Sequence, residues 1–189
     1  MLRLMVHFEE VKKIFGESVS YYLVAVDMNS NYSYSNKRYN LIFEPIHGDL
    51  IGKHYSITMH QDDQQTCKIV SQMAFQFPDK LFPATLRKHD GKGGYMVTRW
   101  EYKAMFGPEG KPEGIFCIGH DITELIEIST ELEDTKYRHS HALRRPVANL
   151  IGLSKLLLEM DLDSGTSDIA RMINESASEL DQEMSKALE

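Results

Sequence analysis

The sequence predicts an α+β domain built on a five-stranded antiparallel sheet, followed by an all-α helical hairpin that pairs with a second copy as a four-helix bundle. Three observations lead there. Strand-like and turn-like segments fill the chain up to about residue 121; beyond it glycine and proline nearly vanish and apolar residues recur at helical spacing. The charge divides at the same point: residues 1–121 carry 14 basic and 14 acidic side chains, whereas 122–189 carry 7 against 14. A single hairpin also shows an apolar seam that it cannot cover by itself, and dimerisation supplies the cover.

The elements follow in order. Phe8, Val11, Ile14 and Phe15 have helical spacing and lead into the first domain. Tyr21–Val26 is strand-like and runs into the turn cluster Asp27–Asn31, after which Tyr32–Ser35 returns as a second strand. Pro45, Gly48 and Gly52 interrupt residues 38–64, where short helices and loops are expected rather than long elements. Over Gln64–Phe77 the residues Ile69, Val70, Met73, Ala74 and Phe77 form one helical face, closed by Pro78. Leu81–Arg87, Tyr95–Phe106 with Trp100, and Gly114–Ile118 are the last three strands, separated by glycine-rich turns at 90–94 and 107–112. The sheet is expected to carry its helices on one face.

The second part reads as helix throughout. Leu125, Ile128 and Leu132 form a coiled-coil-like connector over 125–138. Leu143, Val147, Leu150, Leu153 and Leu157 continue the period until 161–166 breaks it. A second helix carries Ile169, Met172, Ile173, Ala177, Leu180 and Met184, with Thr166 or Ser167 as its N-cap. The domains are thus expected at 1–124, 125–138 and 139–189.

Several classes are excluded. No run of about 18 apolar residues exists, so no membrane span is expected, and Met1–His7 is too short and broken for a signal peptide. The acidic second part argues against nucleic acid, which needs clustered Lys and Arg. Two cysteines 50 residues apart, Cys67 and Cys117, indicate a reduced, cytoplasmic chain. His54, His60 and Asp62–Asp63 are better read as loop side chains than as metal ligands. The string Asp90–Gly94 lacks the spacing of a phosphate loop and is read as a hairpin turn.

One string carries chemistry: His139-Ser140-His141-Ala142-Leu143-Arg144-Arg145-Pro146, followed by the apolar run Val147–Leu153 with Gly152. It resembles the phosphoacceptor box of the dimerisation and phosphotransfer domain of sensor histidine kinases, matched at Ser140, His141, Leu143, Arg144 and Pro146. The resemblance implies that His141 accepts a phosphoryl group from ATP and passes it to an aspartate of a response regulator. It implies a place near that phosphoryl group for Arg144, one turn on, and a helix bend at Pro146. His139 lies about 200° round the helix and is read as a bystander; helical metal ligands are spaced by three or four, not two. Two positions depart from the pattern. Ala142 stands where an acidic residue is usual, and Arg145 where Thr or Asn supports phosphatase activity.

Residues 8–124 resemble a PAS domain in element order, in His60-Gln61-Asp62-Asp63, in Trp100, and in Gly119-His120-Asp121-Ile122-Thr123-Glu124 at the exit. In that family the exit transmits the signal into the following helix, which singles out Asp121 and Thr123. The sequence identifies no cofactor, and the ligand of the sensor is unknown from it: no flavin-type cysteine motif appears, and 64–77 holds no haem-ligating histidine. The resemblance implies a homodimer, an ATP-binding kinase domain with ATP and Mg as separate partner, and a response-regulator receiver. No ATP-binding segment occurs in the chain, which ends inside the second helix at Ala187-Leu188-Glu189, as a truncated phosphoacceptor would. The alternative expectation is a non-enzymatic PAS module for dimerisation or ligand binding.

Overall fold

The computed structural model describes residues 8–161 and 163–186. Met1–His7, Leu162 of the predicted inter-helix break, and Ala187-Leu188-Glu189 lie outside the described residues. The chain separates into two compact units between Ile126 and Glu127.

In the first unit the helix α1 (Phe8–Phe15) precedes strands β1 (Tyr22–Asp27) and β2 (Tyr32–Ser35). Helices α2 (Lys37–His47) and α3 (Gln64–Gln76) follow, with two 3-10 turns at Tyr55–Thr58 and Gln61–Asp63 between them. Strands β3 (Phe82–His89), β4 (Tyr95–Phe106) and β5 (Pro112–Asp121) complete a five-stranded sheet in the order β2-β1-β5-β4-β3. Every pairing is antiparallel.

The sheet is covered on both faces, not one. All of Tyr22–Ala25 is buried, and alternation sends Tyr22 and Val24 into a large core with Tyr39, Phe43, Val70 and Trp100. Leu23 and Ala25 point the other way, where Val11 of α1 closes a smaller core with Phe116. A run buried on both faces has no polar alternation to reveal which face a helix covers. Ile14, assigned to the α1 face from spacing, is 73% exposed.

Residues 37–47 form a longer helix than Pro45 led one to expect. Pro45 stands in the last turns, where its missing N–H removes one backbone bond. Against that loss, Asn36 caps the first turn by accepting from the Tyr39 N–H at 3.1 Å. The same buried amide donates to the carbonyls of Phe15 (2.8 Å) and Tyr21 (3.0 Å), tying α1, β1 and α2 together. Tyr39 and Phe43, one turn apart, are fully buried.

In α3 the buried line is Cys67, Val70 and Ala74, while Ile69, Met73 and Phe77 remain exposed. The helix carries two adjacent apolar rows, and only the sheet decides which one packs. The predicted glycine turns are hairpin connections: Asp90 accepts from the N–H groups of Lys92 (2.7 Å) and Gly94 (2.9 Å), joining β3 to β4. Those two bonds hold its carboxyl below the usual range.

Connector and phosphoacceptor string lie on one helix, α4 (Thr123–Leu158), which starts at the end of the first unit, makes up the first part of the second and continues through Pro146. Helix α5 (Ser164–Lys186) follows. Its cap is Asp163, not Thr166 or Ser167: the carboxylate accepts from the Thr166 N–H (3.0 Å) and hydroxyl (2.6 Å). Buried positions repeat every seven residues, at Val147 and Ser154 on α4 and at Ala170, Ala177 and Met184 on α5. No helix among the described residues is long and apolar enough to cross a membrane.

Candidate functional site

Three places carry the polar or reactive groups of interest, and each is set by a different element. The first is a cavity of about 170 Å³ under α3, lined by Val24, Tyr55, Cys67, Lys88, Trp100 and Cys117 among others. Ala84, Leu86 and Lys88 share the inward face of β3, so strand alternation alone drives a lysine into the core. Lys88 is 4% exposed. Its ammonium donates to Thr58 Oγ1 at 3.0 Å and reaches Tyr39 OH at 3.4 Å. Those two oxygens form a closed triangle with Tyr32 OH, with sides of 2.7, 2.8 and 2.9 Å. Desolvation pushes the Lys88 amine down to about 8 and pushes the Tyr32 and Tyr39 hydroxyls and the Cys117 thiol well up. Both cysteines are free and buried.

Sequence reading missed this cluster. The strand was expected to end at Arg87, one residue short of Lys88. Had it been extended, a lysine at inward parity was the available signal.

The second place is the sheet exit. Asp121 accepts from the Thr123 N–H at 2.8 Å and from its hydroxyl at 2.5 Å. That hydroxyl in turn accepts from the Val97 N–H at 2.8 Å, and Ile122 N–H donates to Val97 O at 2.8 Å. Asp121 and Thr123 therefore fasten the first turn of α4 to β4, by a hydroxyl that donates to one partner and accepts from the other. Beside it, the string 60–63 is held by an ion pair. Arg87 grips Asp63 through Nε (3.1 Å), Nη2 (2.7 Å) and its backbone N–H (2.6 Å). The guanidinium holds the Asp63 carboxyl below the usual range.

The third place is on α4. His141 is exposed, with the Tyr137 ring 6.2 Å away on the preceding turn. Arg144 extends towards α5, Nη2 lying 3.5 Å from Ser185 Oγ. Ala142 and Arg145 are exposed, and Val147 is the nearest buried position beyond Pro146. His141 and Arg144 thus share one accessible stretch of α4, whereas Thr123 opens that helix and Asp121 closes β5.

A family model described as the PAS fold matches residues 17–127. Among solved structures, the chain is similar to the PAS domain of a protein from Colwellia psychrerythraea. The identity is 15% and the TM-score 0.53, over 62% of this chain and 98% of that one. It is also similar to a sensory box histidine kinase/response regulator from Burkholderia thailandensis, at 15% identity and a TM-score of 0.49, over 70% of this chain and 97% of that one. The Cycle PAS-B domain of Drosophila melanogaster is similar at 14% identity and a TM-score of 0.46, over 53% and 98%. No curated protein matches.

Proposed function

The chain belongs to the PAS-fold family, and on that premise we propose that it is the sensor and phosphoacceptor portion of a two-component histidine kinase. The observation that carries this reading is the string 139–153 standing on α4, the helix that leaves the PAS sheet directly, with His141 exposed on it. In the proposed step a ring nitrogen of His141 attacks the γ-phosphorus of ATP held by a separate kinase domain. An N–P bond forms, the bond to the β-phosphate oxygen breaks, and ADP departs with that electron pair. The imidazole loses its proton, and the phosphoryl group moves on to a receiver aspartate. Arg144, one turn beyond, supplies positive charge beside the incoming phosphate. ATP and Mg belong to the partner domain in this scheme.

A homodimer is part of the same reading. Leu143, Leu150 and Leu157 are 52%, 48% and 40% exposed at seven-residue spacing, and Ile173 and Leu180 on α5 are 41% and 48% exposed. A heptad stripe left open along a hairpin is the surface that a four-helix bundle closes.

The test is direct. Incubated with the ATP-binding domain of a histidine kinase and γ-labelled ATP, the chain takes up an acid-labile label that His141→Ala abolishes. Ala142, where an acidic residue stands in the resembled pattern, favours the competing reading of a PAS module without phosphoryl chemistry. Absence of label on the wild-type chain selects that alternative.

A further inference from the structure

Among the described residues Lys88 is the one buried cation, and its neighbours on the same strand face, Ala84 and Leu86, are apolar; Lys68, which also lines the cavity, is exposed. Neutral groups surround it. Beyond Thr58 Oγ1 and Tyr39 OH it faces the rings of Trp100 at 5.2 Å and Tyr39 at 5.8 Å. An ammonium carries three donors, and these contacts use two. Burial keeps the surrounding phenols and the Cys117 thiol protonated. Among the described residues no carboxylate forms an ion pair with Lys88. Asp27, at the rim of the same cavity, is turned to the N–H groups of Asn29 and Asn31 in its own turn, at 2.9 and 2.8 Å. A buried charge without a counter-charge is costly, and the cavity beside this one is open to a guest.

The size and walls of that space narrow the guest. An apolar cavity of about 150 Å³ holds a benzene molecule, and this one, of about 170 Å³, has aromatic walls in Tyr55, Phe75, Trp100 and Tyr102. Its rim lies between the β1–β2 turn, at Met28 and Ser30, and the Lys68–Gln72 stretch of α3. We propose that the cavity binds a small organic carboxylate, with a ring-sized apolar body against Trp100 and its anionic group on the Lys88 ammonium. The proposal rests on the sensor reading of the first unit and not on the chemistry of His141.

Trp100 is the only tryptophan in the chain and lines the cavity, so its emission reports occupancy. Benzoate and its neutral analogue benzyl alcohol, titrated into the full chain at pH 7 and followed by Trp100 fluorescence and calorimetry, are the probes. Benzoate is expected to bind at least tenfold tighter, and Lys88→Met to abolish that preference while benzyl alcohol still binds. Equal affinity of the two in the wild-type chain, or no saturable benzoate binding, overturns the proposal without recourse to the variant. Labelling of His141 is measured separately, so failure of the phosphoacceptor reading leaves this result untouched.

Discussion

At the scale of single residues, Lys88 has the clearest energetic signature. Its amine is pushed down to about 8 from 10.5 because burial penalises the charged form. The folded state therefore binds fewer protons than the unfolded chain between those values, and its stability rises with pH across that window. Below about pH 8 the full penalty, roughly a few kcal/mol, is present. Lys88→Met removes it, so the variant is expected to be more stable than wild type at pH 7. The gap should close as pH is raised through 8 towards 10, measured by denaturant unfolding at each pH; a gap independent of pH would contradict the assignment. His141 is the opposite kind of residue. It is a candidate only through the string of neighbours around it, for nothing in its exposed surroundings distinguishes it from a solvated histidine.

At the scale of elements, close packing sets what the strands tolerate. Gly119 on β5 pairs with Trp100 on β4, and a Cβ at that position would run into the indole ring. Gly119→Ala is expected to destabilise the chain by about 1–3 kcal/mol, the usual cost of overpacking. In a Trp100→Leu background the same change should cost less, because the obstructing ring is gone, and thermal melts of the four proteins of that double-mutant cycle measure the difference. Element existence was largely readable: α1 and β4 fall where periodicity put them, and β3 and β5 extend beyond their expected ends. The face of α3 was not readable, since Ile69–Met73–Phe77 and Cys67–Val70–Ala74 are neighbouring apolar rows of one helix. Nor was the length of α2, because the Asn36 amide that secures it reaches carbonyls 15 and 21 residues away.

At the scale of the whole molecule, the acidic excess in residues 122–189 and the open heptad stripe concern the same helices. If the stripe is a dimer seam, the chain sediments as a dimer. Leu150→Glu combined with Ile173→Glu is then expected to yield monomers whose PAS unit still melts cooperatively, because neither residue contributes to its core. A wild-type chain that stays monomeric at tens of micromolar in sedimentation equilibrium would remove the bundle from the proposed function.

The sequence by itself determined the five strands, the two long helices and the string around His141, because these depend on local period, turn chemistry and fixed spacing along the chain. Tertiary structure alone decided that both sheet faces are covered, which row of α3 is buried, and that Asp163 caps α5. It also decided that Lys88 meets Thr58, Tyr39 and Trp100. Burial and hydrogen-bond partnership are properties of residues distant in sequence, so no local pattern encodes them. The phosphoacceptor candidate lies in the first category and the cavity in the second.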